Sequence, residues 1–323
     1  WAKKNVMINI KNDPNFPIKA YNYCLEEAGI HSDDIKGLAY YDNPYKSFER
    51  IIASQLKALP DGKDVWLDML PRWLQTKLHI PELIRTQTGF QGDIFFIDHH
   101  QSHAASAFYP SPFEEAAILT VDGVGEWATA TIGHGKSDEV NILKEMNYPH
   151  SLGLLYSAFT YCCGFKINEG EYKLMGLSPY GEPTYADLIK SELVSIASDG
   201  SITLNMEYFR YHESLSMFDH KLENLLEAPR RKLDSKITQH TCNVAKSIQV
   251  VTEEIMLKMA THAHDLTGAE NLCLAGGVAL NCVANGKLQS SRIFKEIWIQ
   301  PAAGDAGASY GAALELYLRK FRK

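Results

Sequence analysis

His99 and His103 lie four residues apart in HHQSHAASAFY (99–109), a segment whose small and apolar residues suit a helix. One helical turn separates them, so both imidazoles project from one face. That is the spacing two ligands of one metal ion need, although it serves a core or surface pair equally well. His100 stands between them and faces elsewhere, and no Glu occupies the position a zinc peptidase would require. Asp122 ends an apolar run at the turn DGVG (122–125), and Asp305 sits in PAAGDAG ahead of the last helical pattern. Alone, Asp122 reads as a turn carboxylate and Asp305 as a helix cap. Taken together, two imidazoles and two carboxylates form a nitrogen and oxygen set that suits a borderline divalent ion such as iron, manganese or zinc.

Two glycine turns offer places for a ligand to meet bare backbone. LAGGVALN (274–281) puts Gly276 and Gly277 between a strand and a helix, where close approach and unpaired N–H groups coincide. It matches neither a Walker loop nor the Rossmann glycine pattern. In DGVG, Gly123 and Gly125 make either a plain hairpin or a turn that a phosphate approaches. GEYKLMGLSPYG (170–181) reads as a turn-rich connector, in which Lys173 offers a point charge for a phosphate.

The elements that must position these residues follow from periodicity. Residues 17–29 have helical spacing with Gly29 as a stop, and 37–41 form a short strand. Residues 46–90 carry aromatic and apolar helices interrupted at Pro60, Pro71 and Pro81. IFFID (94–98) reads as a buried strand, and Asp98 as the cap of the helix over 99–109. Residues 116–135 give two strands about the DGVG turn, and a lobe boundary falls near 115. The stretches 150–183 and 199–240 have no clear period. A helix spans about 240–265, followed by a strand in LCLAGG, a helix opening in VALNCVANGKLQ, a strand in EIWIQP and a final helix in AGASYGAALELYL. Buried strands alternating with helices define an α/β protein.

The 323 residues are 45% hydrophobic and 22% charged, enough for two lobes each with a core. With a net charge of -7 and only Arg230-Arg231-Lys232 as a basic cluster, a nucleic-acid partner is not expected. No apolar run reaches the roughly 18 residues of a membrane span. Six cysteines without paired spacing read as reduced thiols, and hence as a cytoplasmic protein. A start at Trp1 and an end inside LELYLRKFRK lead us to expect a fragment.

HHQSHAASAFY, AAILTVDGVGE, YKLMGLSPYG, LAGGVALNCVANGKL and PAAGDAGASYGAA, in this order across residues 17–320, resemble the O-carbamoyltransferases of antibiotic and nodulation-factor biosynthesis. The resemblance implies a fold like actin, Hsp70 and sugar kinases, with two RNase H-like lobes around a nucleotide cleft, related to the tRNA threonylcarbamoyl transferase domain. Residues 1–115 would form the first lobe without its opening strands. Residues 116–323 would form the second, with the helix at 306–320 closing the cleft. It implies that His99, His103, Asp122 and Asp305 hold a divalent metal, Fe2+ being expected. Gly123, Gly125, Gly276, Gly277, Asn281 and Gly304 would surround the nucleotide, and Lys4 and Lys173 would serve catalysis. The implied reaction moves a carbamoyl group from carbamoyl-adenylate, made from carbamoyl phosphate and ATP, to a hydroxyl of a small-molecule acceptor. A C-terminal synthase-like domain, absent here, would make the adenylate, so residues 1–323 alone are expected to be inactive. An ATPase or kinase of the same superfold and a non-catalytic metal-binding scaffold are the rival readings.

Overall fold

A computed structural model of the protein describes residues 15–322. Lys4 lies outside the described residues. Helix α1 (Ile18–Ala28) stops where expected, because Gly29 adopts the left-handed conformation (φ 65°) that glycine tolerates without strain. The short strands β1 (Leu38–Tyr40) and β2 (Ile94–Phe96) pair in parallel, with Tyr40 opposite Phe96. Parallel pairing requires a long crossover. It is made by α2 (Pro44–Lys57), α3 (Lys63–Gln75) and α4 (Ile80–Thr88).

Two sequence expectations change here. Pro71 does not break the chain but sits inside α3, which buries no residue, so water can satisfy the carbonyl that the missing N–H leaves free. Strand β2 is half-buried instead of fully buried, since a two-stranded sheet covers only part of its surface.

Helix α5 (His99–Phe108) follows β2 directly. Then β3 (Glu115–Val121), β4 (Ala128–Lys136) and β5 (Glu139–Asn147) run antiparallel to one another in turn. The stretches without a clear period prove to hold α6 (Leu152–Cys162), α7 (Glu171–Leu177), the strand β7 (Ile202–Leu204) and α8 (His220–Leu225), and β6 (Val194–Ile196), between the two stretches, pairs with β7 as a small hairpin. Residues 171–177 are therefore helical, not the turn-rich connector the glycines suggest.

Helix α9 (Gln239–Thr267) keeps one apolar stripe, including Val244, Ile248, Val251, Ile255 and Met259, all buried. Each such side chain contributes about 1.5–3 kcal/mol on burial. Thr238 caps its start through the Thr241 N–H, and left-handed Gly268 ends it. The chain then returns through β8 (Asn271–Ala275), α10 (Cys282–Ser291), β9 (Glu296–Ile299) and α11 (Asp305–Leu316).

The larger sheet has the order β5-β4-β3-β8-β9, with β8 parallel to both of its neighbours. Strand β3 is buried on both faces, so it needs a layer on each side. Ala117, Leu119 and Val121 face α6 and α9, while Ala116 and Ile118 face Ala104, Ala107 and Phe108 of α5. Three layers result, helix–sheet–helix. Helix α11 packs on α5 through small residues: a Cβ on Gly311 would lie 1.9 Å from the Ser102 carbonyl oxygen. Glu315, fully buried on α11, accepts from Gln101 (2.8 Å) and the Tyr109 hydroxyl (2.6 Å) and ties the two helices together. Among the described residues no helix is long and apolar enough to cross a membrane.

Candidate metal centre and its cleft

Strand alternation decides where the first carboxylate goes. Ile118 and Thr120 face α5, so Asp122, two residues beyond Thr120 at the carboxyl end of β3, emerges toward the same helix. Helical spacing brings His99 and His103 to meet it. Asp122 Oδ2 lies 2.9 Å from His103 Nε2 and 3.4 Å from His99 Nε2, and the two imidazole nitrogens are 3.1 Å apart. Asp305, the first residue of α11, places Oδ1 3.7 Å from both imidazole nitrogens. It makes no capping bond, because Gly304 holds the cap position. His100 is kept apart by a 2.6 Å hydrogen bond from Nδ1 to Thr120, which in turn meets Thr131.

These four donor atoms lie within 4.8 Å of one another. At a metal–ligand distance of about 2.1 Å, neighbouring donors sit about 3.0 Å apart in an octahedron and about 3.4 Å apart in a tetrahedron. The spacings here bracket both values, so the residues fit one divalent ion. His99 and His103 are buried, Asp122 nearly so, and the Asp305 side chain is 59% exposed. A three-sided buried set with one open side is the form that leaves room for a substrate.

Electrostatics agree with a place built for positive charge. Burial disfavours the charged His103 imidazole, yet Asp122 and Asp305 outweigh it and hold it up at about 9. Burial also opposes ionisation of Asp122, but His103 and His99 keep its carboxyl well below the usual range. His100, buried beside His99 and His103, is pushed down to about 3. A divalent ion bound here would compete with protons on these groups.

A cleft of about 1280 Å3 opens onto the cluster. It is lined by His99, Asp122 and Asp305, by Gly123, Gly277 and Asn281, and by Tyr40 and Tyr41 at the end of β1. Parallel strands β1, β3 and β8 thus all deliver their carboxyl ends to it, the usual location for ligands in α/β sheets. A smaller hollow of about 520 Å3 beside β6 and β7 contains none of these residues.

The glycines divide by role. Gly276 (φ 91°) is held against the end of β3, where a Cβ would lie 2.2 Å from the Val121 carbonyl oxygen, and its N–H donates to Ala303 (2.8 Å). This bond links the turn to the loop that carries Asp305. A Cβ on Gly277 would come 2.9 Å from Asp122 Oδ1, and one on Gly125 would strike His99. Gly123 and Gly304 have open space around them, with nothing nearer than 3.8 Å. The expected helix start in VALN (278–281) lies mostly in a short 3-10 turn (Gly277–Leu280), and α10 begins only after Asn281. Asn281 caps α10 through the Ala284 N–H and exchanges paired amide bonds with Gln249 (2.9 and 3.1 Å). Lys173 is exposed, 5.9 Å over the Tyr172 ring, and does not line the cleft.

Sequence reasoning missed Glu126. Asp98 was expected to cap α5, but its carboxylate pairs with Lys46 at 2.8 Å instead. The buried Glu126 takes over, accepting from the His99 N–H (3.0 and 3.1 Å) and the Asn43 N–H (2.8 Å) at the starts of α5 and α2. Burial, then the nearby Asp42, pushes its carboxyl up to about 7. Its nearness in sequence to Asp122 was the available signal. Glu126→Ala should leave one buried and one half-buried helix-start N–H unpaired and lower stability by about 2 kcal/mol. Urea unfolding followed by circular dichroism would show this, and an unchanged midpoint would rule out the double cap.

Fold and site together define an α/β protein with a cluster of two histidines and two aspartates, able to hold a metal ion, at the strand ends beside a glycine turn. The Carbamoyltransferase N-terminus family matches residues 3–314, and the chain belongs to that family. It is 49% identical to an uncharacterized protein of Synechocystis sp., over 95% of this chain and 51% of that protein. It is 36% identical to nodulation protein NolNO of Sinorhizobium fredii, over 94% of this chain and 42% of that one. The chain thus spans about half the length of these curated relatives. Among solved structures, HypF of T. kodakarensis is similar at 15% identity and a TM-score of 0.39, over 75% of this chain and 39% of that one.

Proposed function

We propose that this chain is the transfer half of a cytoplasmic O-carbamoyltransferase, which passes a carbamoyl group from carbamoyl-adenylate to the hydroxyl of a small-molecule acceptor. The observation that carries the reading is the convergence of His99, His103, Asp122 and Asp305 within 4.8 Å at the cleft of a carbamoyltransferase-family chain. In this reading carbamoyl phosphate and ATP enter at a C-terminal synthase-like domain, and the transfer half adopts the two-lobed actin-like arrangement around its nucleotide. The acceptor hydroxyl would belong to a secondary metabolite or a sugar.

His99, His103, Asp122 and Asp305 would hold the metal, Fe2+ being the proposed ion. When bound it would supply Lewis acidity and a template for phosphate oxygens. The chain's own groups do the rest. The Gly123 N–H donates to Asp122 Oδ1 (2.7 Å), which turns Oδ2 toward the imidazoles. Gly277 leaves the cleft wall bare beside that carboxylate, so a phosphate can come close. Asn281, fixed by Gln249, holds the turn in place.

The test is to incubate the full-length protein with radiolabelled carbamoyl phosphate, ATP and a panel of alcohols. Labelled carbamate ester, formed only in the presence of ATP, is the expected product, and residues 1–323 alone should form none. Release of phosphate and ammonia with no labelled ester on any alcohol would point to a different reaction.

A further inference from the structure

Tyr41 lies where β1 ends, on the wall of the cleft that Asp122, Asp305 and Gly277 also line. Its ring packs 5.8 Å from the His99 ring and 5.4 Å from Tyr40, which fixes the direction of the phenol. The neighbouring rings of Tyr40 and Phe96 meet edge to face at 6.1 Å and hold this end of the small sheet rigid. Yet the Tyr41 hydroxyl has no hydrogen-bond partner among the described residues, and it is not sealed from the cleft. A half-buried aromatic body with an unsatisfied polar tip beside the His/Asp cluster gains a partner when the cleft fills.

We propose that Tyr41 is a catalytic residue whose hydroxyl donates a hydrogen bond to the carbonyl oxygen of the carbamoyl group being transferred. The inference rests on the carbamoyl-transfer reading above and adds a donor that reading lacks. In the step, the acceptor oxygen bonds to the carbamoyl carbon, and the bond from that carbon to the phosphate oxygen breaks. The bonding pair leaves with the nucleoside monophosphate, and the alcohol proton passes to water. The carbonyl oxygen gains negative charge as the tetrahedral state forms and gives it back as the leaving group departs. Tyr41 keeps its proton throughout and strengthens its bond while that charge is present. Gly123 and Gly277 bring no side chain to this part of the wall, and the Gly123 N–H is taken by Asp122 Oδ1, so the phenol adds a side-chain donor there.

The experiment compares full-length parent with Tyr41→Phe, which keeps the ring and its packing. A hydrolysis-resistant sulfamoyl analogue of carbamoyl-adenylate is titrated by calorimetry, and metal content and thermal transition are recorded for both proteins. The expected result is about tenfold weaker analogue binding with metal and Tm unchanged. With an accepted alcohol, kcat should fall about 100-fold while KM for the alcohol stays within threefold. Equal analogue affinity in both proteins, or a higher KM at unchanged kcat, would overturn the role of Tyr41 while leaving carbamoyl transfer intact. A parent that holds metal but binds no analogue would overturn the transfer reading and Tyr41 with it.

Discussion

His103→Ala is expected to empty the proposed metal centre, reducing bound divalent ion from an expected one per chain to under about a tenth of that. His103 is fully buried, so no water or neighbouring side chain stands ready to replace its Nε2. The loss reaches beyond one ligand. Asp122 is left with the longer contact to His99, at 3.4 Å, and with the Gly123 N–H. Removing one partner of a buried ion pair costs about 3–5 kcal/mol, so alanine also tests the fold. His103→Gln separates the two effects, since its amide can still donate to Asp122 but makes a poor ligand for a borderline ion. Elemental analysis after anaerobic purification, with circular dichroism on the same samples, reads both. Full metal occupancy in either variant would place the ion somewhere else.

Gly311→Val should have the second-largest effect, although residue 311 touches no ligand. A Cβ there would lie 1.9 Å from the Ser102 carbonyl oxygen and 2.5 Å from the Ser106 nitrogen, both backbone atoms of α5 that cannot step aside. Helices α5 and α11 must therefore separate, while buried Glu315, one turn along α11, still binds them to each other. Overpacking of this kind costs about 3 kcal/mol, and we expect Tm to fall by roughly 6–12 °C. The separation also draws Asp305 away from His99 and His103, both 3.7 Å from it, so metal affinity should drop about tenfold. A thermal scan with and without added metal checks both claims. An unaltered Tm would mean that the two helices pack less closely than described.

What the sequence made legible was what periodicity governs. The His99–His103 spacing needs only a helix and was readable from local order, as was the glycine pair after β8. Asp122 alone reads as a turn carboxylate and gained a ligand role only from the family resemblance. Asp305 came from motif order, since nothing local brings residue 305 to residue 99. Pro71 and residues 171–177 misled because solvent satisfaction and tertiary packing override punctuation by proline and glycine. The α5 cap was misassigned because Asp98 and Glu126 are equally good acceptors, and only the fold shows that Lys46 claims one of them. Tyr41 carried no sequence signal, since a tyrosine at a strand end is ordinary until His99 is seen beside it.

The alternation of β3 imposes a parity rule on how this family can change length. Ile118 and Thr120 point toward α5, and Asp122 continues their face. Inserting or deleting one residue between Glu115 and Asp122 would turn the carboxylate to the other side of the sheet, against α6 and α9, and would send Leu119 toward the imidazoles. Two residues would restore the direction but carry the carboxylate about 7 Å along the strand, past the reach of His103. Neither change can be absorbed, because β4 pairs with β3 along its whole length from Glu115 to Val121 and β8 pairs with its middle. Length variation among descendants of this chain should therefore gather in connections such as 197–201 and 227–237, and leave the run from 115 to 122 at constant length.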